Sequence, residues 1–198
     1  MRRRRARGDE GAALIEAAII LPFLVIMVFG IVELGFLFRS ASIVNNASRS
    51  GARLAAANYG SATTSAQQTS VLDNARQSVE EDLKARAAVD TPTVLWIYKA
   101  DANGNPPSGG FSSCGSPCVV YTWTVNAANP TGAFVYTSGS WSAPDACGTT
   151  HDNVGVYVSV SHAPIGFTNF LGTVTLNEHT VMRLESPVTN TNGCFEQS

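Results

Sequence analysis

The sequence predicts an α+β protein: a long N-terminal transmembrane and amphipathic helix, a second helix, and a small antiparallel β-sheet head. Three observations predict it. The 16 residues from Ala17 to Val32 contain no charge and no strongly polar group. A helical period follows directly, with apolar or small residues at Ile43, Ala47, Gly51 and Leu54. Beyond residue 90, short runs rich in β-branched and aromatic residues alternate with Gly-, Pro- and Asn-rich turns, and no internal repeat is visible.

The first 11 residues form a basic leader, with five Arg (2, 3, 4, 5 and 7) against Asp9 and Glu10, a net of +3. The rest carries 8 basic and 13 acidic residues, a net of −5, which gives no footprint for nucleic acid. Charged residues make up only 14% of the chain, and between residues 11 and 38 the only charges are Glu16 and Glu33. Tolerating Glu33, the apolar run reaches Phe38 and is long enough to span a bilayer. Arginines on its N-terminal flank place that end in the cytoplasm. The sequence therefore divides into a cytoplasmic leader (1–11), a transmembrane part of the helix (12–38), its extracytoplasmic continuation (39–58) and an extracytoplasmic head (66–198). A cleaved secretory signal is the rival reading, with Ser40-Ala-Ser42 as a weak small-residue site, but its apolar core would be shorter than this one. A plain uncleaved anchor is the other.

Ala47, Gly51 and Ala55 form a small-xxx-small row that lets another helix approach closely, and it is expected to pack either against this chain's own sheet or on a neighbouring subunit. Residues 69–88 read as the second helix, with Val71, Leu72, Ala75, Val79 and Leu83 on one face and Ser70 as N-cap. Strands are expected at 93–99, 118–125, 133–136, 153–162 and 173–185, the last bulged near Asn177. Cys114, Cys118, Cys147 and Cys194 all follow the membrane segment, and an even count on the oxidising side points to two disulfides. Three connectivities are open. The short Cys114–Cys118 loop, with Cys147–Cys194 tying down the tail, is favoured over a zinc site, which lacks a second ligand pair.

Glu16 stands out chemically, because a carboxylate at the edge of a membrane helix is costly and usually functional. Pro22 removes one hydrogen bond of the span and is a candidate kink. Glu33 is read as interfacial, near the outer membrane face. Three blocks then carry a resemblance: Gly11-Ala-Ala-Leu-Ile-Glu-Ala-Ala-Ile-Ile-Leu-Pro22, Gly30-Ile-Val-Glu-Leu-Gly35 and Asn46-Ala-Ser-Arg-Ser-Gly-Ala-Arg53. Together they resemble the TadE-like minor pilins (pseudopilins) of tight-adherence, Flp-type (type IVc) pilus systems. The resemblance covers about residues 8–56, more loosely 154–185, and not the stretch 90–150. It implies a pilin-like fold and cleavage between Gly11 and Ala12 by a prepilin peptidase. It also implies assembly with other pilin subunits and a pilus platform in the cytoplasmic membrane. Cleavage would leave an ammonium on Ala12, and Glu16, one turn on, would pair with it or with a neighbour's and set subunit register. Ala17, where major Flp pilins usually carry an aromatic residue, and the length of the chain both favour a minor component.

No catalytic, cofactor or metal motif accompanies this pattern. Arg7-Gly-Asp9 lies in the leader, and Asn46-Ala-Ser48 is a sequon on a helix. Asp101-x-Asn103-x-Asn105 opens like a calcium loop, but it lacks the glycine at position 6 and the closing Glu, so a turn is expected. His151, His162 and His179 are scattered, although His162 and His179 are expected to be able to meet across paired strands. An enzyme is not expected. An uncleaved, membrane-anchored binding domain, using exposed rings among Trp96, Trp123 and Trp141, is the alternative function.

Overall fold

A computed structural model describes residues 6–84, 90–127, 129–142, 144–146, 151–164 and 172–185, with side chains from Gly11 onward. Helix α1 runs from Ala6 to Asn58, and a single 3-10 turn, Tyr59–Ser61, leads to α2, Ser65–Lys84. Five strands follow: β1 (Asp90–Ala100), β2 (Cys118–Thr124), β3 (Ala133–Ser140), β4 (Asn153–His162) and β5 (Val174–Arg183). They form one antiparallel sheet in the order β3-β2-β1-β4-β5. The architecture is the α+β arrangement expected, with both helices laid on one face of the sheet.

The C-terminal half of α1 is a core helix. Val44, Ala47, Ala52, Ala55 and Ala56 are buried against α2 and against the valines of β4, where Val154, Val156, Val158 and Val160 share one face. Ala47, Gly51 and Ala55 are consumed inside the chain: a Cβ on Gly51 would stand 2.5 Å from Val79 Cγ2 and 3.4 Å from the Ala75 carbonyl. The row thus packs within the chain, setting the α1–α2 distance as well as facing Val156 of the sheet, where the sequence had offered the sheet or a neighbouring subunit.

Helix α2 begins four residues earlier than its periodicity implied. Its start is fixed by a reciprocal cap: the Gln67 amide donates to Thr64 Oγ1 at 3.3 Å, and Gln67 Oε1 accepts from the Thr64 amide at 3.1 Å. Ser70 is therefore interior to the helix, and the expected 69–88 becomes Ser65–Lys84 within the described residues. On its core face Leu72, Ala75, Val79 and Leu83 are buried as expected.

The other face of the sheet carries its own small core. Trp96, Tyr98, Ala100, Cys118 and Tyr157 are buried there, with Phe111 and Cys114 packed against them. The β1–β2 loop folds back over this face, closed by the Cys114–Cys118 disulfide with a Cα–Cα distance of 5.9 Å. Cys147 and Cys194 lie outside the described residues. Within the loop, Asp101 Oδ1 accepts the Asn103 and Asn105 amides, both at 2.8 Å, which makes the Asp101–Asn105 segment a turn. Those backbone donors, the Asn105 amide first, hold the Asp101 carboxyl below its ordinary range. Tyr98 lies over Gly155 and donates to the Gly104 carbonyl at 3.0 Å.

Register differs from the sequence reading in one respect. The β4–β5 ladder runs from Asn153↔Arg183 to His162↔Val174 without a shift, so Asn177 is not bulged. The irregularities fall instead between Pro92 and Val94 in β1 and between Val120 and Tyr121 in β2. Pro92 has no N–H for the ladder, which accounts for the first.

Helix α2 also holds the sheet edge. Arg76 and Lys84 pair with Glu80 at 2.7 and 2.6 Å, and Glu80 Oε2 accepts the Phe134 amide at 3.0 Å. Arg76 donates to the Phe134 carbonyl at 3.2 Å. Glu80→Ala leaves the Phe134 amide and a largely buried Arg76 without this acceptor, and is expected to cost about 3 kcal/mol in a denaturant titration. Gly155→Ala drives a Cβ to 2.2 Å from Tyr98 Cζ. A loss of about 1–3 kcal/mol is expected in the same assay, reduced when Tyr98→Leu is added.

Candidate functional site

The chemistry-bearing residues of α1 fall into two groups. The first lies in the apolar half. Helix α1 continues unbroken from Gly11 through Pro22, and every residue from Gly11 to Phe29 is exposed on the isolated chain. Leu14, Phe23 and Met27 are 72%, 71% and 69% exposed. This helix is long and apolar enough to cross a membrane, with a mean hydropathy of 2.7 over its best window. A surface this apolar on all sides is matched to lipid or to other apolar helices, not to water. Gly11, Ala12 and Glu16 all lie on it and are exposed, and a Cβ on Gly11 would meet nothing within 4 Å. The proposed cleavage site and the proposed register residue therefore share the first turns of one helix, about 1.5 Å of rise per residue apart.

The second group was not legible as a group. Glu33 does not stand alone at the interface: its Oε1 lies 3.1 Å from His162 Nε2. The other ring nitrogen, Nδ1, lies 2.6 Å from Asp90 Oδ1. His162 is the last residue of β4 and Asp90 the first of β1, and the two are ladder partners. Three elements thus converge on one imidazole that is 1% exposed, with Asp90 at 4%. The charge break at Glu33 was visible in the sequence. Nothing in the spacing tied it to residues 57 and 129 positions away, because the sheet closure that brings them together is non-local.

A neutral imidazole has one N–H, whereas this ring faces a carboxylate oxygen at each nitrogen. Both contacts are hydrogen bonds to carboxylates only when the ring carries two protons. Burial lowers the His162 pKa, but the hydrogen bonds to Asp90 and Glu33, with their negative charges, outweigh it, so the net direction is upward from 6.5.

The remaining candidates separate. His179 sits opposite Tyr157 and stacks on Phe111 at 4.6 Å, whereas His162 sits opposite Val174 with its ring toward α1. The two histidines do not meet, which corrects the expectation from strand pairing. Trp96 and Trp141 are 8% and 3% exposed, and Trp123 packs on Phe134 at 5.0 Å. All three rings serve the interior and give no aromatic surface platform.

Comparison with known proteins bears on the first group. No curated protein and no solved structure is detectably similar to the chain. The match that exists begins at Gly11 and ends at Arg53, taking in Glu16, Pro22, Glu33 and the small row while leaving the head aside. Over residues 11–53 the chain matches the TadE-like protein family, and it is this segment, the membrane-competent helix with its two carboxylates, that is TadE-like.

Proposed function

We propose that this is a minor pilin, or pseudopilin, of a tight-adherence (Flp, type IVc) pilus. In this reading it is inserted with its N-terminus inside, cleaved by a prepilin peptidase between Gly11 and Ala12, and assembled through α1. The observation that carries the reading is the coincidence of the TadE-like match with an exposed apolar helix whose first charge, Glu16, stands five residues after Gly11. A TadE-like segment points to a Tad pilus-related protein, and other pilin-like subunits and the assembly platform are the corresponding partners.

The physical logic runs from solvent to assembly. In the membrane, lipid covers the apolar residues 17–32, and in an assembly other helices do so. Lipid and helix are similarly apolar, so burial alone gives little net drive and no register. A new ammonium on Ala12 beside the Glu16 carboxylate supplies register, since an unpaired charge at that depth is expensive. Because Ala47, Gly51 and Ala55 are spent inside the chain, subunit contacts fall to the exposed residues 11–32.

The N-terminal sequence and intact mass of membrane-extracted protein, with and without the peptidase, test the reading. A chain beginning at Ala12 only when the peptidase is present is the expected result. Gly11→Leu is expected to abolish that cleavage, because a bulky residue replaces the bare backbone the peptidase must approach. Glu16→Ala is expected to be cleaved normally yet fail to co-purify with pilus subunits. A wild-type chain that keeps its arginine leader in the presence of the peptidase overturns the proposal in favour of an anchored binding domain.

A further inference from the structure

We propose that Glu33, His162 and Asp90 form a proton-controlled latch that clamps the head to the membrane-proximal turn of α1. The inference is independent of cleavage and of the partner subunits. It rests on where the three groups sit. Residues 11–29 are exposed, and so are Ile31 and Val32, whereas Glu33, Phe36 and Leu37 are partly covered and Ser40 is fully buried by the head. From Ala12 to Val32 the helix rises about 30 Å, matching the ~30 Å thickness of a bilayer core. Glu33 is therefore where α1 passes from lipid to head, and His162 meets it there from the end of β4.

The two contacts of the ring are unequal. Asp90 is nearer, at 2.6 Å, and belongs to the strand paired with β4, so it travels with His162. Glu33 is farther, at 3.1 Å, and belongs to the helix. When the imidazolium releases one proton to solvent, the remaining N–H stays with Asp90. Nε2 then presents a lone pair to the Glu33 carboxylate, and attraction turns to repulsion at this link between the lipid exit of α1 and the end of β4. Farther along α1 no histidine takes part in the hold: Asn45 donates to Glu178 of β5 at 3.4 Å, Ser48 shares a 2.8 Å hydrogen bond with Thr180, and the alanines pack whatever the pH. Deprotonation thus loosens the first turns of the junction and leaves the rest seated.

Across the β4–β5 ladder His162 meets Val174, and the next titratable group on the helix-facing side of β5, Glu178, lies opposite Val158 and is hydrogen-bonded by Asn45 at 3.4 Å. On α2, Lys84 is paired with Glu80. The sign follows from linkage. The folded-state pKa of His162 is raised above 6.5, so the stabilisation is fully present below about pH 6.5 and is lost as pH rises through the folded value.

Full-length protein labelled with 15N-histidine, in detergent micelles or nanodiscs, tests this by NMR titration with amide exchange read at residues 33–40. His162 is expected to keep both ring protons to a pH above the ordinary imidazole value of 6.5. Exchange at 33–40, corrected for its intrinsic pH dependence, is expected to rise at least about tenfold across the His162 midpoint, the equivalent of one pKa unit. Glu33→Gln is expected to lower that midpoint and to show the faster exchange already below it. His162 titrating at or below 6.5, or exchange indifferent to its midpoint, overturns the latch. If Glu33→Gln fails to fold, the wild-type series alone decides.

Discussion

One helix carries two surfaces, an exposed apolar half long enough to cross a membrane and a half buried in the head, and the rest of the structure follows from that constraint. In a bilayer every backbone N–H and C=O has to be paired within the segment, so the apolar half of α1 has to be helical. Continuing the same helix past Glu33 obliges the head to accept a rod as one wall of its core. The head does so with alanines and one glycine at the contact, against a row of four valines on β4. Small residues on the rod allow α2 and the sheet to close around it, so the packing fixes the position of the head along α1 before any charge is considered.

Because both helices occupy one face of the sheet, the opposite face would be left to water. The β1–β2 loop covers it, and the Cys114–Cys118 bridge, the Asp101 turn and the stack of Phe111 on Tyr157 at 5.0 Å hold that loop down. This explains why β4 is buried almost throughout, although its sequence alternates as if one face were wet. A strand between two covers shows the alternation of side-chain size rather than of exposure.

Local chemistry was the legible part of this chain. The apolar run, the period of α1, the core face of α2 and the five strands could all be read from residues a few positions apart, as could the disulfide with the short loop. What was misread needed non-local information. The start of α2 was missed because Thr64 and Gln67 cap it ahead of its apolar period. The β-irregularities followed partner geometry, and Pro92 was their one visible signal. The Glu33–His162–Asp90 cluster was out of reach because each member looked ordinary alone: an interfacial acid, a scattered histidine and an acid at a strand start. Glu16 was legible for the opposite reason, since its meaning depends on neighbours within one turn of helix.

The grip of α2 on Phe134 bears on how one head can meet a copy of itself. Strand β3 is an outer strand of the sheet, and an outer strand with free backbone groups is a template on which an identical strand can grow. Glu80 takes the Phe134 amide and Arg76 its carbonyl, so the first rung that an incoming strand would need is already occupied by side chains of the same molecule. The hydrophilic end of β3, which runs Thr137-Ser-Gly-Ser140, offers little apolar reward for pairing farther along. Growth of a copy's strand on β3 is thereby blocked at the rung where it would bury the most apolar surface, so the side chains that anchor α2 also guard this edge of the sheet.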